Sequence, residues 1–85
     1  MSDTAAPRLS RREAECIEAL CRGMTNREIA EALGIALPTV EMHIKRARER
    51  VGARTREHAI AISIVEKLID VPALAADIER LRRTG

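Results

Sequence analysis

The chain has 85 residues, 33% of them charged and none of them aromatic. A chain this short forms one domain at most and buries only about 60 to 65% of its unfolded surface, which leaves little room for a large catalytic cleft. The lack of aromatic residues favours close-packed helices over a sheet. A net charge of +2 does not by itself indicate nucleic acid. No apolar run reaches the length of a membrane span and no signal peptide is present, so we expect a cytoplasmic protein without membrane contact.

The first helix is predicted from its capping residues. Residues 1–8 show no periodicity and are expected to form a flexible arm. Ser10 and Glu13 then have the spacing of a capping box, which starts a helix running to about Arg22. Gly23 ends this helix.

The stretch from Thr25 to Arg50 predicts two short helices joined by a glycine turn. Thr25 caps the first of them, and Gly34 is suited to the left-handed conformation that ends it. Leu37 is expected to lie outside the next helix, which starts at Pro38. The buried stripe of this third helix is predicted to comprise Val40, Ile44, Ala47 and Val51. Two helices with this connection match the helix-turn-helix plan.

The basic residues are concentrated on the third helix and just after it. Residues 36–56 contain six basic and two acidic side chains, a net charge of +4, whereas the rest of the chain has a net charge of −2. Local positive charge on one element is what phosphate binding requires. The charge distribution therefore indicates nucleic acid where the total charge does not.

A fourth helix is predicted from about Arg56 to Ile69, with Gly52 closing the helix before it. Its apolar residues cover most of its circumference, which is more than a three-helix core can bury. Either the C-terminal tail folds over this helix, or one side of it forms a homodimer contact. Asp70 caps a fifth helix that ends at Arg82 or Arg83.

The cysteines and histidines do not predict a metal or catalytic site. Cys16 and Cys21 lie on different sides of the first helix and are interpreted as small core thiols. His43 is interpreted as a packing residue and His58 as an exposed one. No catalytic triad pattern or glycine-rich phosphate loop occurs, so we expect no enzymatic activity, cofactor or metal.

The segment from Leu9 to Ile60 resembles the LuxR-type (GerE or FixJ type) helix-turn-helix domain of bacterial transcription regulators. The matching motifs are LSRRE, GMTNREIAEALGI, TVEMHI and VGARTREHAI, in the family's order and spacing. The resemblance implies an all-α domain of four helices over residues 9–69, to which residues 70–85 add a short C-terminal helix. It also implies that the third helix enters the major groove of double-stranded DNA and that the fourth forms the dimer contact.

The resemblance assigns roles to individual positions. Thr39 and Arg27 match phosphate-contacting positions, and Asn26 is expected either to cap the second helix or to contact the same DNA strand. Arg46 and Arg50, on adjoining faces of the third helix, are expected to add phosphate contacts. The positions that match the base-contacting ones are Glu41, Met42 and Lys45. The predicted dimer contact comprises Ala61, Ile62, Val65 and Ile69.

Two positions depart from the family's pattern. Ala36 stands where the family often has a capping serine, and Pro38 is expected to compensate. Glu41 stands where the family often has lysine. Its carboxylate either accepts a hydrogen bond from a cytosine amino group or pairs with Lys45 four residues on.

The function we expect is that of a transcription regulator. Because only a short arm precedes the first helix, the chain is either a stand-alone single-domain regulator or an excised fragment, and the start at Met1 and the fifth helix favour the stand-alone alternative. The regulator would bind a two-fold symmetric DNA site as a homodimer, with recognition helices about 34 Å apart. RNA polymerase or a regulator would be a further protein partner. One alternative is a promoter-binding module like region 4 of sigma factors, which binds as a single copy. Another is a protein-interaction adaptor with weak DNA affinity, which uses the apolar fourth and fifth helices.

Overall fold

The computed structural model describes residues 8–84 and contains five helices over that range, without a strand. The predicted arm lies outside the described residues except for Arg8. The predicted all-α architecture is confirmed. In chain order the helices are α1 (Arg11–Cys21), α2 (Asn26–Leu33), α3 (Leu37–Arg50), α4 (Arg56–Val65) and α5 (Val71–Thr84).

Side-chain caps start α1 and α2, as the sequence predicts. The Ser10 hydroxyl accepts a bond from the Glu13 N–H at 3.1 Å, and the Glu13 carboxylate accepts one from the Ser10 N–H at 2.9 Å. Thr25 and Glu28 form the same reciprocal pair at the start of α2. Both predicted capping boxes are therefore present. Thr55 caps α4 by accepting a bond from the His58 N–H at 3.0 Å, a cap that is not among the sequence-based predictions.

The predicted start of α3 is wrong by one residue. Leu37 is helical and Ala36 is the N-cap, without a side-chain hydrogen bond. The Thr39 and Val40 N–H groups both bond to the Ala36 carbonyl, at 3.0 and 3.2 Å, so the first turn closes around Leu37 and Pro38. Proline disfavours helical geometry in the residue before it, but Leu37 packs against the core, and that burial offsets the steric preference.

The predicted end of α4 at Ile69 is also wrong, because the helix ends at Val65. Lys67 has a φ of 58°, close to the 68° of Gly34, which closes α2. The Leu68 N–H bonds to the Ser63 carbonyl at 2.9 Å, just as the Ile35 N–H bonds to the Ala30 carbonyl at 3.0 Å after α2. Both helices end in a Schellman-type turn. A lysine occupies the left-handed position in the second case, so the usual glycine signal is missing.

The core consists of two clusters that meet along α1. The first cluster joins α1, α2 and α3, and the second joins α1 and α3 to the segment after α4. Buried members of the first are Cys16, Ala19, Ile29, Ala30, Val40 and Ile44. Those of the second are Ile17, Ala47, Ile69 and Leu74. The predicted buried stripe of α3 is confirmed except for Val51, which is only half-buried and lies just after the helix.

The first half of α5 is attached to α1. Leu74 is buried, and the Arg22 guanidinium pairs with Asp77 at 2.9 Å. Asp70 caps α5 as predicted, accepting a bond from the Ala73 N–H at 3.1 Å. Further along the helix, Ile78 and Leu81 are 37% and 55% exposed. The C-terminal segment therefore covers only part of the apolar surface beside it.

No helix within residues 8–84 is long and apolar enough to cross a membrane.

Candidate nucleic-acid interface

The packing of α3 decides which of its faces is available to a ligand. Val40, Ile44 and Ala47 point into the core, with exposures of 0, 7 and 1%. Since one side of the helix is buried along its whole length, the opposite side faces solvent. The predicted base-contacting residues all lie on this exposed side: Glu41, Met42 and Lys45. We call these three residues the reading face.

The reading face combines three kinds of side chain. Glu41 supplies hydrogen-bond acceptors, Lys45 supplies donors, and Met42 supplies an apolar surface that is 37% exposed. The ion pairs found among the described residues do not include one between Glu41 and Lys45. Both charges are thus directed at solvent in the free protein.

The predicted phosphate-contacting residues lie at the starts of α2 and α3. Arg27 is exposed, and Thr39 and Asn26 are half-buried. Asn26 is not the cap of α2, since Thr25 has that role. Its side-chain carbonyl accepts a hydrogen bond from Arg56 Nη1 at 3.3 Å. The start of α4 therefore lies beside the start of α2, a neighbourhood that no local sequence signal indicates.

The two predicted phosphate contacts at the far end of α3 differ in their surroundings. Arg46 is exposed and makes none of the ion pairs described for residues 8–84. Arg50 pairs through Nε with Glu13 Oε1 at 2.7 Å, although half of its side chain is still exposed. The structure thus shows a structural contact for Arg50 that the sequence does not predict.

Glu13 is the buried partner in that pair, with a residue exposure of 2%. Burial alone raises the pKa of a carboxyl group, but the hydrogen bonds from the Ser10 N–H and Arg50, together with the arginine's charge, outweigh it. The pKa of Glu13 is consequently below its ordinary value of 4.5. The carboxylate is ionised at neutral pH and ties the start of α1 to the end of α3. Its capping role was predictable from spacing, whereas its pairing with Arg50 was not.

The thiols and imidazoles do not assemble into a reactive centre. Cys16 is buried and Cys21 half-buried, and burial raises the pKa of both thiols, which favours their protonated form. His43 is half-buried, and the exposed His58 accepts a bond from the Arg54 N–H at 3.2 Å through Nδ1. Within the described part of the chain, no group of three or more histidine, cysteine or acidic residues could hold a metal ion.

The predicted dimer residues separate into exposed and buried ones. Ala61 is exposed and Ile62 half-buried, and Val65 is 77% exposed. Ile69 is only 6% exposed and packs with the core. The prediction for Ile69 does not fit this placement, because the early end of α4 turns the residue inward.

Comparison with known proteins identifies relatives that match about half of this chain or more. A family model described as bacterial regulatory proteins, luxR family, matches residues 7–63. The transcriptional activator protein BjaR1 of Bradyrhizobium diazoefficiens is 40% identical over 63 residues, which are 74% of this chain and 26% of that protein. The C4-dicarboxylate transport transcriptional regulatory protein DctR of Rhodobacter capsulatus is 50% identical over 42 residues, 49% of this chain and 21% of that protein.

A solved structure shares the fold. It is that of VqmA from Vibrio cholera in a complex with a ligand and DNA, with a TM-score of 0.64 and 30% identity over 75% of this chain and 28% of the VqmA chain. The present chain thus spans about a quarter of the length of these proteins. Helix α5 lies beyond the span that the family model matches.

Proposed function

Because this chain belongs to the luxR family of bacterial regulatory proteins, we propose that it binds double-stranded DNA as a homodimer and reads a two-fold symmetric site. The family and the relatives are transcription regulators rather than enzymes. The chain has the helix-turn-helix domain of that family. The finer proposal concerns how this domain contacts DNA and a second copy of itself. We also propose that the protein is cytoplasmic.

The observation that carries the proposal is the exposure of the reading face. A helix that enters the major groove needs polar side chains on a face that no other element covers. In α3 that face holds Glu41, Met42 and Lys45, while the opposite face is buried. These three residues are proposed to contact base edges.

The proposed phosphate contacts flank the reading face. Arg27, Asn26 and Thr39 lie at the helix starts that would approach one DNA strand, and Arg46 is an exposed cation on α3. Arg50 is a weaker candidate, since Glu13 already neutralises much of its charge. VqmA, solved with DNA, supports the assignment because its fold matches this one.

The proposed dimer contact is the exposed stripe of α4, formed by Ala61, Ile62 and Val65. A valine that is 77% exposed beside further apolar residues is unusual for a surface that stays in water. Two copies joined through this stripe would present two reading faces about 34 Å apart, the spacing of one turn of DNA. Ile69 is left out because it belongs to the core.

Salt-dependent binding to duplex DNA tests the phosphate contacts. Arg46→Gln should weaken binding to all sequences and reduce the slope of log K against log salt by about 1. Arg82→Gln is the matched control, because Arg82 is an exposed arginine on α5. Equal slopes for the two variants would count against an Arg46 contact, and salt-independent binding by the unaltered chain would count against DNA binding.

The dimer contact is tested by molecular mass in solution. Val65→Asp should give a monomer where the unaltered chain gives a dimer, because a carboxylate would lose water in an apolar contact. Ala73→Asp is a suitable control, since Ala73 is exposed in the first turn of α5, where an acidic residue is favoured. An unaltered chain that stays monomeric on DNA and selects an asymmetric half-site would instead support the sigma-like alternative.

A further inference from the structure

The two charged residues of the reading face lie four positions apart and do not pair with each other. Glu41 and Lys45 are both exposed, and the ion pairs described for residues 8–84 leave both of them out. A glutamate four residues before a lysine would gain only about 0.2–0.5 kcal/mol from pairing. Both side chains can therefore contact bases without the loss of an existing ion pair.

We propose that Glu41 and Lys45 together specify G·C base pairs in the DNA site, with Glu41 accepting a hydrogen bond from a cytosine amino group and Lys45 donating to a guanine. This inference rests on the proposed DNA-binding function and adds the bases that the reading face prefers. It follows from the hydrogen bonds that each side chain can form with base edges in the major groove.

A carboxylate can only accept hydrogen bonds at neutral pH. Phosphate oxygens offer it no donor and repel it, so a glutamate in the groove needs a base amino group. Cytosine N4 and adenine N6 are the amino groups of the major groove. Adenine also presents its N7 lone pair beside that amino group, which repels the second carboxylate oxygen of Glu41. Cytosine has no acceptor on its major-groove edge, and it is therefore the better partner.

Lys45 has the opposite requirement, because its ammonium group has three donors and no acceptor. Guanine presents two acceptors, O6 and N7, on its major-groove edge. Four residues of helix advance roughly 6 Å, whereas each base pair advances roughly 3.4 Å along one strand. The two contacts are thus expected on the same base pair or up to two steps apart.

The basic residues near Glu41 lead us to expect two opposite effects when Glu41 is removed. Glu41 stands on a helix whose other charged residues are mostly basic: Lys45, Arg46, Arg48, Glu49 and Arg50. Its carboxylate must oppose binding to phosphate wherever no amino group meets it. Removing Glu41 should therefore strengthen binding to unrelated DNA while weakening the preference for cytosine. A glutamate that only stabilises the helix would not produce this combination.

The experiment is selection from a random duplex library by the unaltered chain and by Glu41→Ala and Lys45→Ala, followed by affinity measurement on selected and single-base-substituted duplexes. Glu49→Ala is the matched control: it removes the same charge from the last turn of α3, and Glu49 is also exposed. Circular dichroism checks that each variant folds.

We expect the unaltered chain to prefer cytosine at one position of each half-site by roughly 5- to 140-fold, the range for one good base contact. Glu41→Ala should lose that preference and bind unrelated DNA more tightly, and Lys45→Ala should lose the preference for a guanine within two base pairs. Glu49→Ala should keep both preferences.

Three results would overturn the inference. The first is a preference for adenine, rather than cytosine, at the position that Glu41→Ala changes, because the proposed base would then be wrong. The second is an identical motif for Glu41→Ala and the unaltered chain, because Glu41 would then contact no base. Absence of any selected motif would also exclude base reading. In that last case, the salt dependence of binding to unrelated DNA separates failure of this inference from failure of the proposed function. A steep slope of log K against log salt would support the proposed DNA binding. No binding at low salt would contradict both this inference and the proposed function.

Discussion

The three N-terminal helices and the two C-terminal helices use their apolar side chains differently. The largest fully buried apolar side chains, Ile17, Ile29 and Val40, come from α1, α2 and α3. Most of the exposed large apolar side chains come from α4 and α5, namely Ile64, Val65, Ile78 and Leu81. The first region buries its apolar surface and presents charge, whereas the second retains apolar surface. The difference is what we expect if one region meets DNA and the other meets protein.

The apolar surface of the second region has a definite location. A groove of about 280 Å³ separates α4 from α5, lined by Cys21 and by residues of both helices, among them Ile64 and Ile78. It lies beside the exposed stripe of α4. The sequence left two explanations open for the apolar fourth helix, coverage by the tail and contact with a second copy. In the structure the tail covers the Ile60 and Ile64 side incompletely, and Val65 stays uncovered.

The contrast in burial predicts the largest difference in stability. Ile29→Ala should lower the free energy of unfolding by about 2–5 kcal/mol, because it opens a cavity in the first cluster. Val65→Ala, the matched change in α4, should cost less than about 0.5 kcal/mol in the monomer. Urea denaturation followed by circular dichroism at a monomeric concentration measures both. Similar losses for the two variants would contradict the contrast between the regions.

A smaller effect is expected at the ion pair that ties α1 to α3. Glu13→Gln keeps the side-chain length but removes the charge, so at pH 7 it should cost about 1–2 kcal/mol, with the half-exposed Arg50 limiting the loss. Glu31→Gln, at an exposed position of α2, should change stability little.

The pH dependence of that effect follows from the lowered pKa of Glu13. Its ionised form contributes stability above the ordinary value of 4.5, and this contribution is lost as the pH falls through the lower folded-state pKa. Stability of the unaltered chain should therefore decrease below about pH 4.5 more steeply than that of Glu13→Gln. Parallel curves from thermal unfolding at several pH values would show that Glu13 does not contribute in this way.

The smallest predicted effect is a gain at the end of α4. Lys67→Gly should stabilise the protein by up to about 1 kcal/mol, because glycine tolerates a φ of 58° at less steric cost, offset in part by its greater freedom when unfolded. In a domain of this size that gain raises Tm by roughly 4–8 °C or less. Gly34→Ala is the reciprocal variant and should lower Tm. A lower Tm for Lys67→Gly would mean that the lysine side chain makes a stabilising contact.

Local chemistry explains which parts of the fold were predictable. The capping boxes at Ser10 and Thr25 and the glycine at Gly34 act within a few residues of the chain, and each is where the sequence predicts it. Leu37 and Lys67 are exceptions for one reason. Leu37 is helical although a proline follows it, and Lys67 has a positive φ that a lysine disfavours. Both stand next to side chains that pack in the core. Packing energy between distant segments decided these positions.

The sequence by itself determined the all-α class, the helix-turn-helix plan, the luxR-type family and the side of α3 that faces away from the core. Periodicity and capping encode the class, the plan and the exposed side of α3 locally, whereas the family is indicated by motifs such as GMTNREIAEALGI and VGARTREHAI. Only the tertiary structure decided that Glu13 holds Arg50, that Arg56 lies beside Asn26, and that Ile69 is buried while Val65 is exposed. The first depends on how α1 packs against α3, and the others depend on where the chain turns after α3 and α4. The direction of a turn is set by the surfaces that it brings together.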